Sequence, residues 1–295
     1  MTRRAKVLVA RGPFLAALVC GTLGVVTPCR PALAWGQEGH SVVAEIAQRR
    51  LSPRAAAMVA RVLGRGRSLA SVASWPDDVR AERPGTSRWH FVDIPIASNH
   101  YDAAESCAPT PQGDCAIAEL ARLRSELRCA RGATARQEAL KFAVHVVGDL
   151  HQPLHTVDED KGGNAIPVQV QLRGLVCSQA CRAPLASNFH LAWDIDLIHA
   201  VVFDWGAYVD RLESGWLKSA EARTRRAAGG TPVDWALETH AAAQTVWNLL
   251  PADHVINDDY FQKVLPTIDR QLGLAGLRLA RFLNEAYWSN RCPVR

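Results

Sequence analysis

The sequence has no long hydrophobic run after its first 34 residues, and it has no internal repeats, low-complexity tract or linker. Without a run of roughly 20 apolar residues, that part of the chain offers no candidate membrane-spanning helix. The absence of repeats and linkers excludes a repeat architecture and favours a single domain. The 261 residues after position 34, of 295 in all, suffice for one large domain with an extensive core.

Residues 1–34 have the three parts of a secretory signal peptide. A basic start, an apolar stretch at residues 13–26 and a small-x-small cleavage site ending at Ala34 follow one another. A membrane anchor is the alternative, but the apolar stretch is already short, Gly21 and Gly24 interrupt it, and Pro28 and Arg30 follow it closely. We therefore expect a secreted or periplasmic protein without a membrane anchor, whose mature domain spans residues 35–295.

The mature chain lacks an excess of basic residues. The whole sequence has 34 Lys and Arg against 29 Asp and Glu, but five of the basic residues and none of the acidic ones lie in residues 1–34. The remaining charges cancel, so composition gives no sign of electrostatic capture of a polyanion.

Six of the eight cysteines follow position 34: Cys107, Cys115, Cys129, Cys177, Cys181 and Cys292. An even number in an exported protein predicts disulfide bonds, and only the Cys177–Cys181 pair is local enough to predict. A zinc site built from cysteines is the alternative, but a single C-x-x-x-C spacing has no partner pair.

Apolar periodicity predicts an all-α fold, a mainly helical single domain with a small β-hairpin. Helical spacing recurs at residues 41–63, with a junction at Pro53, and at residues 116–129, 137–150, 191–203, 233–249 and 260–287. The alternating string IPVQVQL at residues 166–172 predicts a strand, one half of the hairpin. Residues 173–187 have little periodicity and are predicted to form a loop.

The string HVVGDLHQPLH carries the first candidate metal ligands. His145 and Asp149 lie four residues apart, on one face of a predicted helix, and Pro153 turns the chain so that His155 can point back. Imidazole and carboxylate groups in this arrangement suit zinc. Taken alone, the spacing is equally typical of an exposed pair or a capped turn.

The same spacing recurs at His190 and Asp194 in NFHLAWD. Because the chain has only 10 histidines, this recurrence favours a metal site between facing helices. Upstream lie three further candidates: His40, Asp77 in SWPDDVR and His90 in RWHFVDIP. Taken alone, each has an ordinary structural explanation, as a buried core histidine for His40 and His90 and as a helix cap for Asp77.

Cleavage after Ala34 would create one more ligand. It would free the α-amine of Trp35, which titrates near ~8 and is readily deprotonated by a metal ion. The amine and carbonyl of Trp35 could then chelate one ion together with His40, which lies on the following turn.

These strings resemble the extracellular class I nucleases, the S-one and P-one nuclease family of fungi, plants and bacteria. The resemblance runs in order through WGQEGH, SWPDDVR, WHFVDIP, HVVGDLHQPLH, KGGN, NFHLAWD and AGLRLARFLN. It implies the helical scaffold shared by phospholipase C and these nucleases. It also implies a monomeric, zinc-dependent endonuclease that cleaves single-stranded DNA and RNA to 5'-phosphorylated products, with 3'-nucleotidase activity.

The resemblance implies three zinc ions, and all nine family ligand positions hold the expected residue types: Trp35, His40, Asp77, His90, His145, Asp149, His155, His190 and Asp194. The implied sites are Asp77, His90 and His145; His155, His190 and Asp194; and Trp35 with His40, which Asp149 bridges to the first. In the mechanism that this implies, two close zinc ions hold a hydroxide and the third stabilises the leaving 3'-oxygen.

Four further positions match family residues that contact substrate. Arg80, expected on the same helix face as Asp77, would donate to the phosphate, and Asn164 in KGGN would lie near phosphate and base. Phe91 would stack on an unpaired base and Asp93 would accept from its edge. The alternatives are a surface arginine at Arg80 and plain core packing at Phe91.

Two other functions compete with the nuclease. Zinc-dependent phospholipases C share the scaffold, but their last ligand pair ends in Glu where this sequence has Asp194. A non-catalytic exported metal-binding protein is the other alternative. Structural zinc sites are normally closed by four protein ligands, whereas two of the sites here have three.

Overall fold

The computed structural model describes residues 35–173, 184–201, 204–288 and 292. The predicted signal peptide and the predicted Cys177–Cys181 pair lie outside the described residues.

Helices dominate the part of the chain that the structure describes, so the predicted mainly helical fold is confirmed. They are α1 (Gln37–Gln48), α2 (Pro53–Leu63), α3 (Trp75–Asp78), α4 (Ala103–Ser106), α5 (Ala116–Cys129), α6 (Ala133–Asp149), α7 (Phe189–Leu191), α8 (Leu197–Val201), α9 (Trp205–Ser214), α10 (Pro232–Asn248) and α11 (Asp258–Ala286). A π-helical turn at Ala192–Asp196 joins α7 to α8. Short 3-10 helices lie at Ala70–Val72, Pro84–His90, Pro153–Thr156, Glu159–Lys161 and Trp216–Lys218.

Local signals explain where several helices begin. Pro53 starts α2 after Ser52, whose hydroxyl accepts from Ala55 N, and this places the predicted junction between α1 and α2. Asn257 caps α11 in the same way, through Tyr260 N. Helix α9 was not predicted, although Asp204 caps its first turn and Tyr208, Val209 and Leu212 are buried.

The small sheet has three strands in the order β2-β1-β3. Strand β1 (Pro167–Gln171) pairs antiparallel with β2 (Leu185–Asn188) and parallel with β3 (Val255–Asn257). The predicted hairpin is therefore present, with a third strand added. The prediction of a loop throughout residues 173–187 is wrong at its end, because Leu185 begins β2 opposite Val170. Backbone pairing with β1, rather than an alternating pattern of its own, makes that segment a strand.

The core lies around α6. Helix α1 packs against α11, α6 and α9, while α5 packs along α6. Residues Leu140–Asp149 of α6 are all buried, so its second half lies in the interior. Each large aliphatic side chain buried there contributes roughly 1.5–3 kcal/mol of transfer free energy. The same packing holds His145 and Asp149 away from bulk water.

Two disulfides join described residues. Cys107 bonds Cys115 with a Cα–Cα distance of 5.0 Å, and Cys129 bonds Cys292 with a Cα–Cα distance of 5.6 Å. The prediction that these cysteines form disulfides is confirmed, and such bonds persist in oxidising compartments. Within the described ranges, no helix has the length and apolarity to cross a membrane.

Candidate metal centre

Imidazole and carboxylate side chains from distant parts of the chain meet in the interior beside α6. They form three groups in which all ligand atoms lie within 4.8 Å of one another: His40, His145 and Asp149; Asp77, His90 and His145; and His155, His190 and Asp194. The structure thus brings together every predicted side-chain ligand. Their roles as ligands stay predictions.

The first two groups share His145 and together form a larger cluster of five residues, with Asp149 at its middle: His40, Asp77, His90, His145 and Asp149. Asp149 Oδ1 lies 3.2 Å from His40 Nε2, and Asp149 Oδ2 lies 3.0 Å from His90 Nδ1 and 3.2 Å from His145 Nε2. The rings of His40 and His145 are stacked, with centroids 3.9 Å apart. One carboxylate therefore contacts three imidazoles that come from three separate elements.

Asp77 completes this cluster from the short helix α3. Its Oδ1 lies 3.5 Å from His145 Nε2 and 3.6 Å from His90 Nδ1. Pro76 occupies an early position of α3, where its missing N–H costs no hydrogen bond. The expectation that Arg80 shares the helix face of Asp77 is wrong, because α3 ends at Asp78 and Arg80 lies in the turn that follows.

The second cluster contains His155, His190 and Asp194. His190 Nε2 lies 3.1 Å from His155 Nε2 and 3.3 Å from Asp194 Oδ2. Asp194 belongs to the π-helical turn rather than to a regular α-helix, and such turns are frequent at functional sites. Gln152 fixes the other carboxylate oxygen by donating from Nε2 to Asp194 Oδ1 at 2.6 Å.

Backbone carbonyls orient three of the imidazoles. The Nδ1 atoms donate to these acceptors: His145 to Ala73 O at 2.8 Å, His155 to His90 O at 2.7 Å and His190 to Gly162 O at 2.7 Å. With Nδ1 donating outwards, each Nε2 faces the cluster, and its lone pair becomes available to a metal ion that displaces any proton there. This arrangement of an outer hydrogen bond and an inner lone pair is typical of metal-binding histidines.

Buried polar atoms without hydrogen bonds indicate a cation. Among the described residues, Asp77 Oδ1, Asp149 Oδ1 and Asp194 Oδ2 are buried and accept no hydrogen bond. Leaving such oxygens unsatisfied costs about 1–3 kcal/mol each, or more when they are charged. Facing imidazole nitrogens would also repel without a proton or a cation between them. The mixed nitrogen and oxygen donors therefore fit metal ions such as zinc.

Electrostatics divide the imidazoles into two kinds. Burial lowers the pKa of His40 and His190 and lowers the pKa of His90 to about 4, so these imidazoles are neutral at pH 7.

Burial opposes protonation of His145 and His155, but the carboxylates of Asp149 and Asp77 beside His145, and of Asp194 beside His155, outweigh it and raise the pKa of both imidazoles. A metal ion would displace the protons that these two carry. Burial opposes ionisation of Asp149, but the charge of His145 outweighs it and holds the pKa of Asp149 well below its usual range. Deprotonated carboxylate and neutral imidazole are the forms that coordinate metal ions.

Two glycines allow the close approach of site residues. A Cβ at Gly148 would lie 2.7 Å from His40 Nδ1, so α1 can approach α6 only because this position is glycine. Gly162 has a φ of +63°, and a Cβ there would lie 2.5 Å from Leu154 O. At both positions the need for glycine comes from contacts between segments that are distant in sequence or separated by a turn, rather than from the local sequence.

A cleft of about 380 Å³ opens onto His90, His155 and His190. All four predicted substrate-binding residues line it: Arg80, Phe91, Asp93 and Asn164. Phe91 is only partly buried, while Val92 and Ile94 on either side of Asp93 lie in the core, so the chain here turns alternate side chains to the cleft. Phe91 therefore lies on the wall of the cleft and is not a plain core residue.

Sequence reasoning missed several residues at this site. Arg88 and Lys161 line the cleft, and Gln152 holds Asp194. Gln152 and Lys161 stand inside strings that the resemblance identified, HVVGDLHQPLH and KGGN, so their position was a signal. Arg88 directly precedes the matched string WHFVDIP, so its nearness to His90 was a signal too, but its contacts with Asp93 and with the Cys107–Cys115 loop depend on the fold.

A family model for S1/P1 nuclease matches residues 35–287. The chain belongs to the S1/P1 nuclease family. Relatives include Endonuclease 2 of Arabidopsis thaliana, 29% identical over 277 residues that cover 86% of this chain and 90% of that protein. Nuclease P1 of Penicillium citrinum is 29% identical over 286 residues, covering 86% and 98%. Nuclease S1 of Aspergillus oryzae is 24% identical over 278 residues, covering 85% and 91%.

Family membership decides between the competing functions. S1/P1 nucleases are phosphodiesterases that act on nucleic acid, so the chain is a hydrolase of this type and the phospholipase alternative is not favoured. The family match begins at Trp35, the residue predicted to start the mature domain.

Proposed function

We propose that the protein is an exported, monomeric endonuclease that binds three zinc ions and cleaves single-stranded DNA and RNA to 5'-phosphorylated products, with 3'-nucleotidase activity. One observation supports this above others. Three histidines of the buried His and Asp groups, His90, His155 and His190, line a cleft that is also lined by an arginine, an aromatic ring and a carboxylate suited to phosphate and base.

The proposed ligand sets of the three zinc ions follow the three His and Asp groups described above. Asp77, His90 and His145 would hold one zinc ion, and His155, His190 and Asp194 a second. The third would be bound by His40 and Asp149, together with the amine and carbonyl of Trp35 once residues 1–34 are removed. Bound zinc supplies Lewis acidity, which activates water and offsets negative charge on phosphate oxygens.

Arg80 is the proposed phosphate-binding residue. Its guanidinium lines the cleft and donates from one nitrogen to Ser87 O at 3.1 Å, which holds the side chain in place. A planar guanidinium suits the oxygens of a phosphate, and its hydrogen bonds to them strengthen as charge grows on them. Asn164, anchored through Nδ2 to Lys161 O at 2.9 Å, is proposed to bind nearby.

Phe91 and Asp93 are the proposed base-binding residues. Stacking on an aromatic ring tolerates any base and contributes about 1–3 kcal/mol per base. A base inside a duplex is already stacked and paired, so it cannot reach a ring on the wall of a cleft. This explains a preference for single strands without a sequence code.

Removal of metal tests the proposal directly. Protein from an exporting host should contain about three zinc ions per chain by mass spectrometry and should cleave single-stranded DNA, and a chelator should abolish cleavage. Zinc should restore it. Protein without zinc that still cleaves, or zinc-loaded protein that hydrolyses only phospholipid, would refute the proposal.

Replacement of Arg80 tests the phosphate-binding role. We expect Arg80→Ala to lower kcat by about 100-fold or more, with zinc content unchanged, because a donor to the developing phosphate charge is lost. Arg83→Ala is the matched control, since Arg83 pairs with Glu138 and does not line the cleft. Equal rates in the two variants would remove Arg80 from the mechanism.

A further inference from the structure

Arg88 lies beside the proposed base-binding residues. One of its terminal nitrogens donates to Asp93 Oδ2 at 2.8 Å, and its guanidinium carbon lies 5.4 Å from the centre of the Phe91 ring. Both side chains of the ion pair are 25% exposed, and both line the cleft. The pair is thus partly open to a ligand.

The disulfide loop between Cys107 and Cys115 holds Arg88 in position. Arg88 N donates to Gln112 O at 2.9 Å, and Arg88 Nε donates to Asp114 O at 3.2 Å. Both acceptors lie inside the loop that the disulfide closes. Arg122 in turn pairs with the Asp114 side chain at 2.7 Å. Arg88 therefore has anchors for both its backbone and its side chain, unlike a solvated surface arginine.

Together, Arg88 and Asp93 present donors and an acceptor next to one aromatic ring. A carboxylate can accept several hydrogen bonds, so Asp93 can keep its bond from Arg88 and still accept from a base. Arginine has five N–H donors, of which two are used in the contacts described above. A base stacked on Phe91 would meet both kinds of group along one edge.

We propose that Arg88 is a specificity-determining residue that, with Asp93, favours guanine in the base site. The inference rests on the proposed function of Phe91 and Asp93. Guanine has N1–H and N2–H donors for the carboxylate, and beside them the O6 acceptor, a common partner of arginine. Adenine has a single amino donor on the corresponding edge and no carbonyl oxygen, while the pyrimidines offer less area for stacking.

Binding of the four ribonucleoside 5'-monophosphates to the zinc-loaded protein, measured by calorimetry, tests the proposal. The wild type should bind the guanine nucleotide about tenfold more tightly than the adenine nucleotide. In Arg88→Gln this ratio should fall to about two or less, with adenine affinity nearly unchanged. Cleavage of dinucleotides that differ only in the 5' base, or only in the 3' base, would be compared as well. Arg88→Gln should lose the preference for guanine in kcat/KM as it does in binding.

Two variants accompany this measurement. Arg88→Lys keeps the charge and the aliphatic stem but loses the planar fork, so it should fold and still lose most of the preference. Arg83→Gln, at an ion pair outside the cleft, should keep the wild-type ratio. A wild type without preference for guanine, or an Arg88→Gln variant that keeps it or weakens all four nucleotides equally, would overturn the proposal.

Asp93→Asn and Phe91→Ala separate this inference from the proposed function. If these variants weaken nucleotide binding and Arg88→Gln leaves the guanine ratio unchanged, the base site stands and only the role of Arg88 fails. If neither variant alters binding of any nucleotide, the base site itself is wrong, and the inference about Arg88 fails with it.

Discussion

Replacement of Asp149 by asparagine is expected to remove zinc from the larger cluster and to lower cleavage of single-stranded DNA by about 1,000-fold or more. Changes to groups that only support metal ligands already cost about 10–100-fold, and Asp149 is a proposed ligand itself. Its two oxygens contact His40, His90 and His145 at 3.0–3.2 Å. An amide keeps the shape of the side chain but offers one weaker oxygen donor and no charge.

Asp78→Asn is the matched control for this variant. Asp78 stands next to the proposed ligand Asp77 in the string SWPDDVR but belongs to none of the three His and Asp groups. We expect it to keep both zinc content and rate within about twofold, as surface changes of this kind usually have small effects. Zinc content by mass spectrometry, steady-state rates and far-ultraviolet circular dichroism would be measured on both variants. A folded Asp149→Asn protein with full zinc content and a rate within tenfold of wild type would contradict the assignment.

The parts of the site that could be predicted from sequence are those set by local geometry. His145 and Asp149 share a helix face because they are four residues apart, and Pro153 begins the short 3-10 helix that carries His155 just after α6 ends. Each fact follows from residue spacing and backbone chemistry within about ten residues. The resemblance then related these local groups to one another.

The parts that could not be predicted depend on tertiary contacts. The turn that holds Asp194 is π-helical, and nothing in the spacing of His190 and Asp194 separates that turn from an ordinary helix. Strand β3 has three residues and forms only because it lies parallel to β1. Arg88 meets Asp93 and the Cys107–Cys115 loop through the fold alone. Helix α9 is different, because its cap and apolar spacing were local signals that went unused.

An added residue before Trp35 is expected to remove one zinc ion of the proposed three and to lower activity by about 100-fold. The Trp35 side chain is fully buried, and Gly36 N donates to Asp194 O at 2.8 Å, so the start of the mature domain would lie next to a proposed ligand. His40 follows one turn later, with Nε2 3.2 Å from Asp149 Oδ1. A free amine there has a lone pair for a metal ion, whereas an amide nitrogen does not. Removal of the predicted signal peptide would therefore complete the proposed metal centre.

Two purified forms test this, one beginning at Trp35 and one with a single glycine before it, both released from the same cleavable fusion. Zinc content and hydrolysis of single-stranded DNA would be compared at pH 8, where the α-amine is readily deprotonated. Trp35→Phe with a free amine is the control that separates the amine from the indole, and it should retain all the zinc despite a cost of packing energy. Equal zinc content and equal rates in the two forms would show that Trp35 contributes only its buried side chain. A loss confined to the extended form would mean that export and processing, rather than folding alone, switch the enzyme on.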